Sequence, residues 1–197
     1  MSHRIVVGIS GASGAALGIR VLERLAEIEC VETHLVISRS AELTLAHEVA
    51  ADAAERVRAL ADVTYPSEAV GAAIASGSFR TAGMIVAPCS MRSLSAIAHS
   101  LSDNLLIRAA DVQLKERRRL VLVVRETPLH LGHLRAMVAA TEMGAIIAPP
   151  VPAFYRRPAS LAAVIDDCAG RAIDLLGLGI GPQADGWTGD LADRPKR

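Results

Sequence analysis

Three short segments, Pro88-Cys89-Ser90-Met91-Arg92, Ser102-Asp103-Asn104-Leu105 and Leu114-Lys115-Glu116-Arg117-Arg118, join a polar strand end to a basic helix end. A glycine turn, Gly8-Ile9-Ser10-Gly11-Ala12-Ser13-Gly14, follows the first apolar run. Small residues with free backbone N–H groups let an anion approach, and arginines neutralise its charge, so the two turns together predict a phosphate-holding site. The glycine turn has neither the Rossmann spacing of glycines nor the Gly-Lys-Ser/Thr of a P-loop. Nor is it a nucleophile elbow, because Ala12 stands where the second glycine of Gly-x-Ser-x-Gly belongs. Taken alone, it reads equally as a phosphate site or as a tight turn between strand and helix.

Other residues carry weaker signals. Ser38 ends the second expected strand and Ser90 follows the third, where ligands of open α/β sheets lie, outside the carboxyl ends of the strands. Arg125-Glu126 follows the very apolar run at 120–124, so a charge pair is expected where a central strand opens into the ligand crevice. Cys89 has no local histidine to activate it and reads as a small buried thiol. His130 and His133 lack a further metal ligand, which favours capping or surface roles. Glu42 and Glu48 fall on a helix whose exposed face is the default, and the 115–119 cluster of basic residues suits a solvated helix end. Tyr155 and Arg171 are distant in sequence, but a proline loop lies between the last strand and the tyrosine.

The elements that must position these residues alternate. Short β-branched runs at 4–9, 32–38, 83–87, 120–124 and 145–148 predict strands. Helices are expected at about 14–28, where Leu17, Val21, Leu22 and Leu25 make one stripe, and at 40–50, 70–76, 93–99, 104–115, 130–141 and 161–176. This βα alternation predicts a single-domain α/β fold, a three-layer, doubly wound parallel sheet covered on both faces. Pro149-Pro150-Val151-Pro152 stiffens the following loop. The domain is expected over residues 1–177, with 178–197 as a Gly, Pro, Asp and Arg tail that docks on a neighbouring subunit or stays flexible.

Composition excludes several classes. The 197 residues balance to a formal charge of zero, so no global field points to nucleic acid. Lys115 and Lys196 are the only lysines, leaving arginine to carry the positive charge. Cys30, Cys89 and Cys168 are odd in number and far apart, which argues against disulfides and zinc. No apolar run approaches membrane-spanning length and the start reads as a strand, so a soluble, cytoplasmic protein is expected.

The ordered set of motifs identifies a resemblance. The Gly8 to Gly14 turn, the Pro-Cys-Ser-Met segment, Asp103-Asn104-Leu105 with Arg108 and Asp111, the segment from Leu114 to Arg118, Arg125-Glu126-Thr127-Pro128 with His133-Leu134, and Pro152-Ala153-Phe154-Tyr155 resemble the UbiX-type flavin prenyltransferases over residues 4–176. The resemblance implies a Rossmann-like or flavodoxin-like domain that binds reduced FMN and dimethylallyl phosphate, needs no metal, and makes prenylated FMN for UbiD-type decarboxylases. It also implies a homo-oligomer, usually a dodecamer, with sites at subunit junctions.

Carried over by position, it implies flavin contacts at Gly11, Ala12, Ser13, Ser38, Ser90, Met91, Arg92, Ser93 and Arg125. Tyr155, Arg171 and Lys115 become the clamp on the donor phosphate, with Arg108 joining from a neighbouring subunit. Glu48 and Glu126 become acidic catalytic residues, and Trp187 a C-terminal aromatic closing the pocket. The nearest alternative is a flavin-dependent decarboxylase of cysteine-containing peptides, which shares the fold but carries a Pro-Ala-Ser-Ala-Asn segment and a catalytic histidine. A non-catalytic flavin carrier is the third reading.

Overall fold

The computed structural model describes residues 3–187 and 189. Its strands β1 (His3–Ile9), β2 (Val31–Ile37), β3 (Val63–Tyr65), β4 (Gly83–Cys89), β5 (Arg119–Val124) and β6 (Ile146–Ile147) form one sheet, all pairs parallel, in the order β3-β2-β1-β4-β5-β6. That order reverses direction between β1 and β4, which makes their carboxyl ends the place where a doubly wound sheet opens a ligand crevice. The helices are α1 (Ala15–Ala26), α2 (Arg39–Glu48), α3 (Ala53–Arg58), α4 (Met91–Ala98), α5 (Leu105–Lys115), α6 (Leu131–Glu142) and α7 (Leu161–Asp174).

The central strands are apolar on both sides because both faces are covered. Ile5, Val7, Ile9, Ile85 and Val121 point into a core shared with α1 and α7, where Leu22, Leu25, Ala172 and Ile173 meet them. Val6, Met84, Val86, Leu120 and Leu122 point the other way, against Leu94 and Ile97 of α4, Leu106 and Ala110 of α5, and Ala136 and Ala140 of α6. The apolar stripe expected on the first helix is the buried face of α1, with Leu17, Val21, Leu22 and Leu25 all covered.

Two short elements escape a sequence reading. β3 is a three-residue edge strand, too short to show a period. It pairs with β2, and its Tyr65 hydroxyl lies 2.9 Å from Nδ1 of buried His34. α3 is six residues long. The helix expected at 70–76 is a correction: only the 3-10 turn Ala73–Ala75 forms, because Gly71 interrupts the segment and Gly77 directly follows it. The last strand shrinks to two residues, with Pro149 shortly beyond it.

Residues 178–187 run back over the domain. The Asp174 carboxylate accepts the N–H groups of Gln183 at 2.7 Å and Ala184 at 3.0 Å, and Arg24 holds the Gln183 carbonyl. The remainder of the tail, including Lys196, lies outside the described residues apart from Gly189. Among the described residues no helix is long and apolar enough to cross a membrane.

Candidate active site at the carboxyl edge of the sheet

Three helices begin at the switch point, each capped by a side chain of its own segment. Ser38 accepts from the Ala41 N–H at 3.2 Å at the head of α2, Ser90 from Ser93 at 3.2 Å at α4, and Asn104 from Ile107 at 3.1 Å at α5. Short polar residues compete well for such positions because they replace a hydrogen bond that the first turn lacks. The helix heads converge on a crevice of about 710 Å³ lined by Gly11, Ser38, Arg39, Ser40, Ser67, Glu68, Val70, Ser90, Arg92, Ser93, Asp103, Asn104 and Leu106. Positive helix ends, hydroxyls and two arginines make this edge attractive to an anion. Arg92 is not wholly free, since it pairs with Asp103 at the rim. The size falls within the usual range of about 300–1,000 Å³ for cofactor pockets.

Gly11 is required by its surroundings. A Cβ there would sit 2.4 Å from the Ser40 Cβ, so the glycine turn and the head of α2 touch. The amides at the head of α1 are occupied from within the chain: the Glu48 carboxylate accepts from Gly14 at 2.9 Å and from Ala15 at 2.9 Å. The amides expected to face a phosphate at this helix start hold the Glu48 carboxylate instead, so Glu48 is not an idle member of an exposed face. Burial pulls its pKa upward, but hydrogen bonds from the Ser13 hydroxyl and the Ala15 and Gly14 amides, with the Arg125 charge nearby, outweigh this and hold it below the usual carboxylate range. Gly14 has φ of 101°, in the left-handed region, and the Arg125 Cδ lies against it. Ser13, Gly14, Glu48 and Arg125 thus form one polar cluster at the mouth of the turn.

A second, smaller cavity of about 200 Å³ lies between the end of β5, the proline loop and α7; Tyr155 and Arg171 both line it. The Tyr155 ring meets Trp187 edge to face, with centroids 5.1 Å apart. Arg156 is neutralised by Asp167 and Asp185. Arg171 has no ion pair among the described residues, so its charge is available to a ligand.

The remaining candidates stand apart. α5 starts at the crevice and runs away from it, placing Lys115 at the opposite edge of the sheet, beside Glu116 and just before β5. Arg108 is held by Asp111 of the same helix at 2.7 Å and by the Ala75 carbonyl of the 3-10 turn at 3.2 Å. Glu126 is exposed and accepts from its neighbour Thr127 at 2.9 Å, and no ion pair with Arg125 forms among the described residues. The charge pair expected from adjacency is a correction: Arg125 turns toward Glu48 instead. Met91 and Ala12 do not line the crevice, and Met91 packs on the core behind it. Cys89 is fully buried and burial pushes its thiol up to about 12, so it is no nucleophile. His130 caps α6 by accepting from Gly132 at 3.0 Å.

Sequence reasoning missed Arg39, Ser40, Ser67 and Glu68 in the crevice wall. Arg39 directly follows a capping serine at a strand end, which was a usable signal; Ser67 and Glu68 follow the unrecognised β3.

Comparison with known proteins defines the class that this fold and site belong to. The model of the family described as Flavoprotein matches residues 1–173. Flavin prenyltransferase UbiX of Escherichia coli strain K12 is 57% identical over 175 residues, which cover 89% of this chain and 92% of that protein. The crystal structure of AnUbiX (PadA1) in complex with FMN and dimethylallyl pyrophosphate superposes with a TM-score of 0.89 at 49% identity, covering 96% of this chain and 99% of that one. A dodecameric FMN-dependent UbiX-like decarboxylase from Escherichia coli O157:H7 gives a TM-score of 0.89 at 45% identity, covering 94% and 100%. The chain is a flavoprotein by this family match, and it belongs to the UbiX flavin prenyltransferases.

Proposed function

We propose that this protein joins the dimethylallyl group of dimethylallyl phosphate to N5 and C6 of reduced FMN, in the cytoplasm and without a metal, and that a UbiD-type decarboxylase takes up the prenylated FMN. The observation that carries the reading is a pair of unlike sites at the carboxyl ends of the strands: a serine-lined, three-helix crevice suited to a flavin phosphate, and a smaller cavity where Tyr155 and Arg171, unpaired among the described residues, suit a short allylic phosphate. Three free cysteines accord with a reducing compartment.

In this reading Gly11, Ser38, Ser90 and Ser93 hold the flavin with the free amides at the heads of α2 and α4, while Arg92 closes one side. Ser13 and Arg125, fixed by Glu48, meet the flavin from the turn side. Ala12 and Met91 contribute backbone and shape. Bound reduced flavin supplies the nucleophilic N5 and the carbon that closes the new ring. Tyr155 and Arg171 orient the donor phosphate and neutralise the charge it gains as the allylic bond breaks, and Trp187 covers Tyr155. Lys115 lies at the far end of α5 from its own pocket, and Arg108 is engaged by Asp111 and the Ala75 carbonyl, so in this reading both act across a subunit boundary in a dodecamer.

Anaerobic incubation with reduced FMN and dimethylallyl phosphate, followed by mass spectrometry of the released flavin, tests the reaction; the pyrophosphate is the parallel arm. A flavin heavier by one five-carbon unit is the expected result. Unmodified flavin from both donors would favour a peptide decarboxylase or a flavin carrier. Glu126 sits beyond β5, outside the serine crevice, and its exposed carboxylate suits proton transfer during ring closure. Glu126→Gln is expected to slow turnover about 100-fold and to leave FMN affinity unchanged, a pattern that steady-state rates and flavin titration resolve.

A further inference from the structure

One buried hydroxyl ties the two halves of the sheet together where the strand order reverses. Ser10 is 1% exposed and immediately precedes Gly11. Its Oγ donates to the Pro88 carbonyl at 2.8 Å and accepts the Ser90 N–H at 2.8 Å. The Ser10 backbone N–H reaches the same Pro88 oxygen at 3.2 Å.

The geometry explains why a hydroxyl is needed. Pro88 has no N–H to give, and the paired register of β1 with β4 ends at Gly8 and Val86. The regular ladder therefore fails just before the α4 head, and Ser10 supplies the missing rung, as donor to one residue and acceptor from another. Ser90 passes the constraint on, accepting from the Ser93 amide at 3.2 Å and donating to the Ser93 hydroxyl at 3.1 Å. The glycine turn and the α4 head are two walls of the crevice, and this chain of bonds sets their separation.

We propose that Ser10 is a positioning residue for flavin binding: its hydroxyl holds Ser90 and Ser93 at the spacing from Gly11 that the flavin requires. The inference rests on the placement of FMN in the crevice given above. Without the hydroxyl the Ser90 N–H is left unpaired in a covered place, and it regains a partner only by turning outward and carrying the capping serines with it.

The test is FMN titration of the full-length protein carrying Ser10→Ala, Ser10→Thr or Ser10→Val, with thermal unfolding in parallel. Threonine and valine have nearly the same shape and differ by the hydroxyl, so a packing change affects both alike. Ser10→Ala and Ser10→Val are expected to raise the FMN Kd about tenfold, with Ser10→Thr close to the parent. A role confined to stability would lower the melting temperature and leave the Kd unmoved, and that result overturns the proposal, as does equal weakening by threonine and valine.

Should the alanine and valine variants fail to fold, hydrogen exchange of the parent over residues 88–94 decides. A Ser90 amide protected with and without FMN supports a preformed tie, whereas free exchange before FMN is added overturns it. Ser38→Ala is measured beside them. If it weakens FMN while Ser10→Ala does not, the Ser10 inference fails alone; if neither does, the placement of the flavin fails with it.

Discussion

Arg171→Ala is expected to lower kcat/KM for dimethylallyl phosphate by about 100-fold or more while the FMN Kd stays at its parent value. Arg171 lies in the last turn of α7 and lines the smaller cavity with Tyr155, whereas the crevice assigned to FMN is lined by other elements. Its neighbour Arg156 already has two carboxylate partners, so it cannot readily take over the charge. Removing a preorganised cation acts chiefly where negative charge develops on the departing phosphate, and the loss should therefore fall on the chemical step. Arg171→Lys should recover only part of it, because an ammonium cannot offer the two-pronged contact of a guanidinium. Parallel loss of FMN affinity and turnover in Arg171→Ala would show that the two cavities are not separate sites.

Glu48→Ala is the second large change. The carboxylate accepts both free amides at the head of α1 and also faces Ser13 and Arg125, so one substitution uncaps a helix and releases two residues assigned to the flavin. A lost cap costs about 1 kcal/mol, and turnover should fall about tenfold or more as the turn loosens. The stability part carries a pH signature. Because the folded carboxyl is held below its ordinary value of 4.5, its contribution is fully present above that pH and disappears as the pH falls through the lower, folded value. The melting temperatures of parent and Glu48→Ala should thus differ at neutral pH and converge in acid. A difference that persists at a pH where both carboxyl states are protonated would mean that packing, not charge, accounts for the loss.

Both predictions concern residues visible in the sequence whose partners were not. Tyr155 and Arg171 are distant in sequence with a proline loop ahead of the tyrosine, and the cavity that joins them is walled by that loop and α7. Glu48 was one of two glutamates on a helix, with no local sign that it crosses to a turn 34 residues earlier. Arg125 and Glu126 are adjacent, yet adjacent side chains at a strand end diverge, and only packing sent Arg125 toward Glu48. Ser10 lies inside the glycine turn, and only the packing of β1 against β4 gives its hydroxyl two partners.

What the sequence by itself determined is the α/β alternation, the four long strands and the stripe of α1. These are local matters: period and β-branching decide them. The order of the motifs also determined the family, since a long ordered pattern needs no knowledge of contacts. Tertiary structure alone decided that β3 and α3 form, that Glu48 caps α1, that Lys115 faces away from its own crevice, and that Ser10 bridges β1 to β4. The reason is physical: such contacts join residues distant in the chain, their partners are chosen by how helices and strands pack, and no spacing along the sequence records that choice.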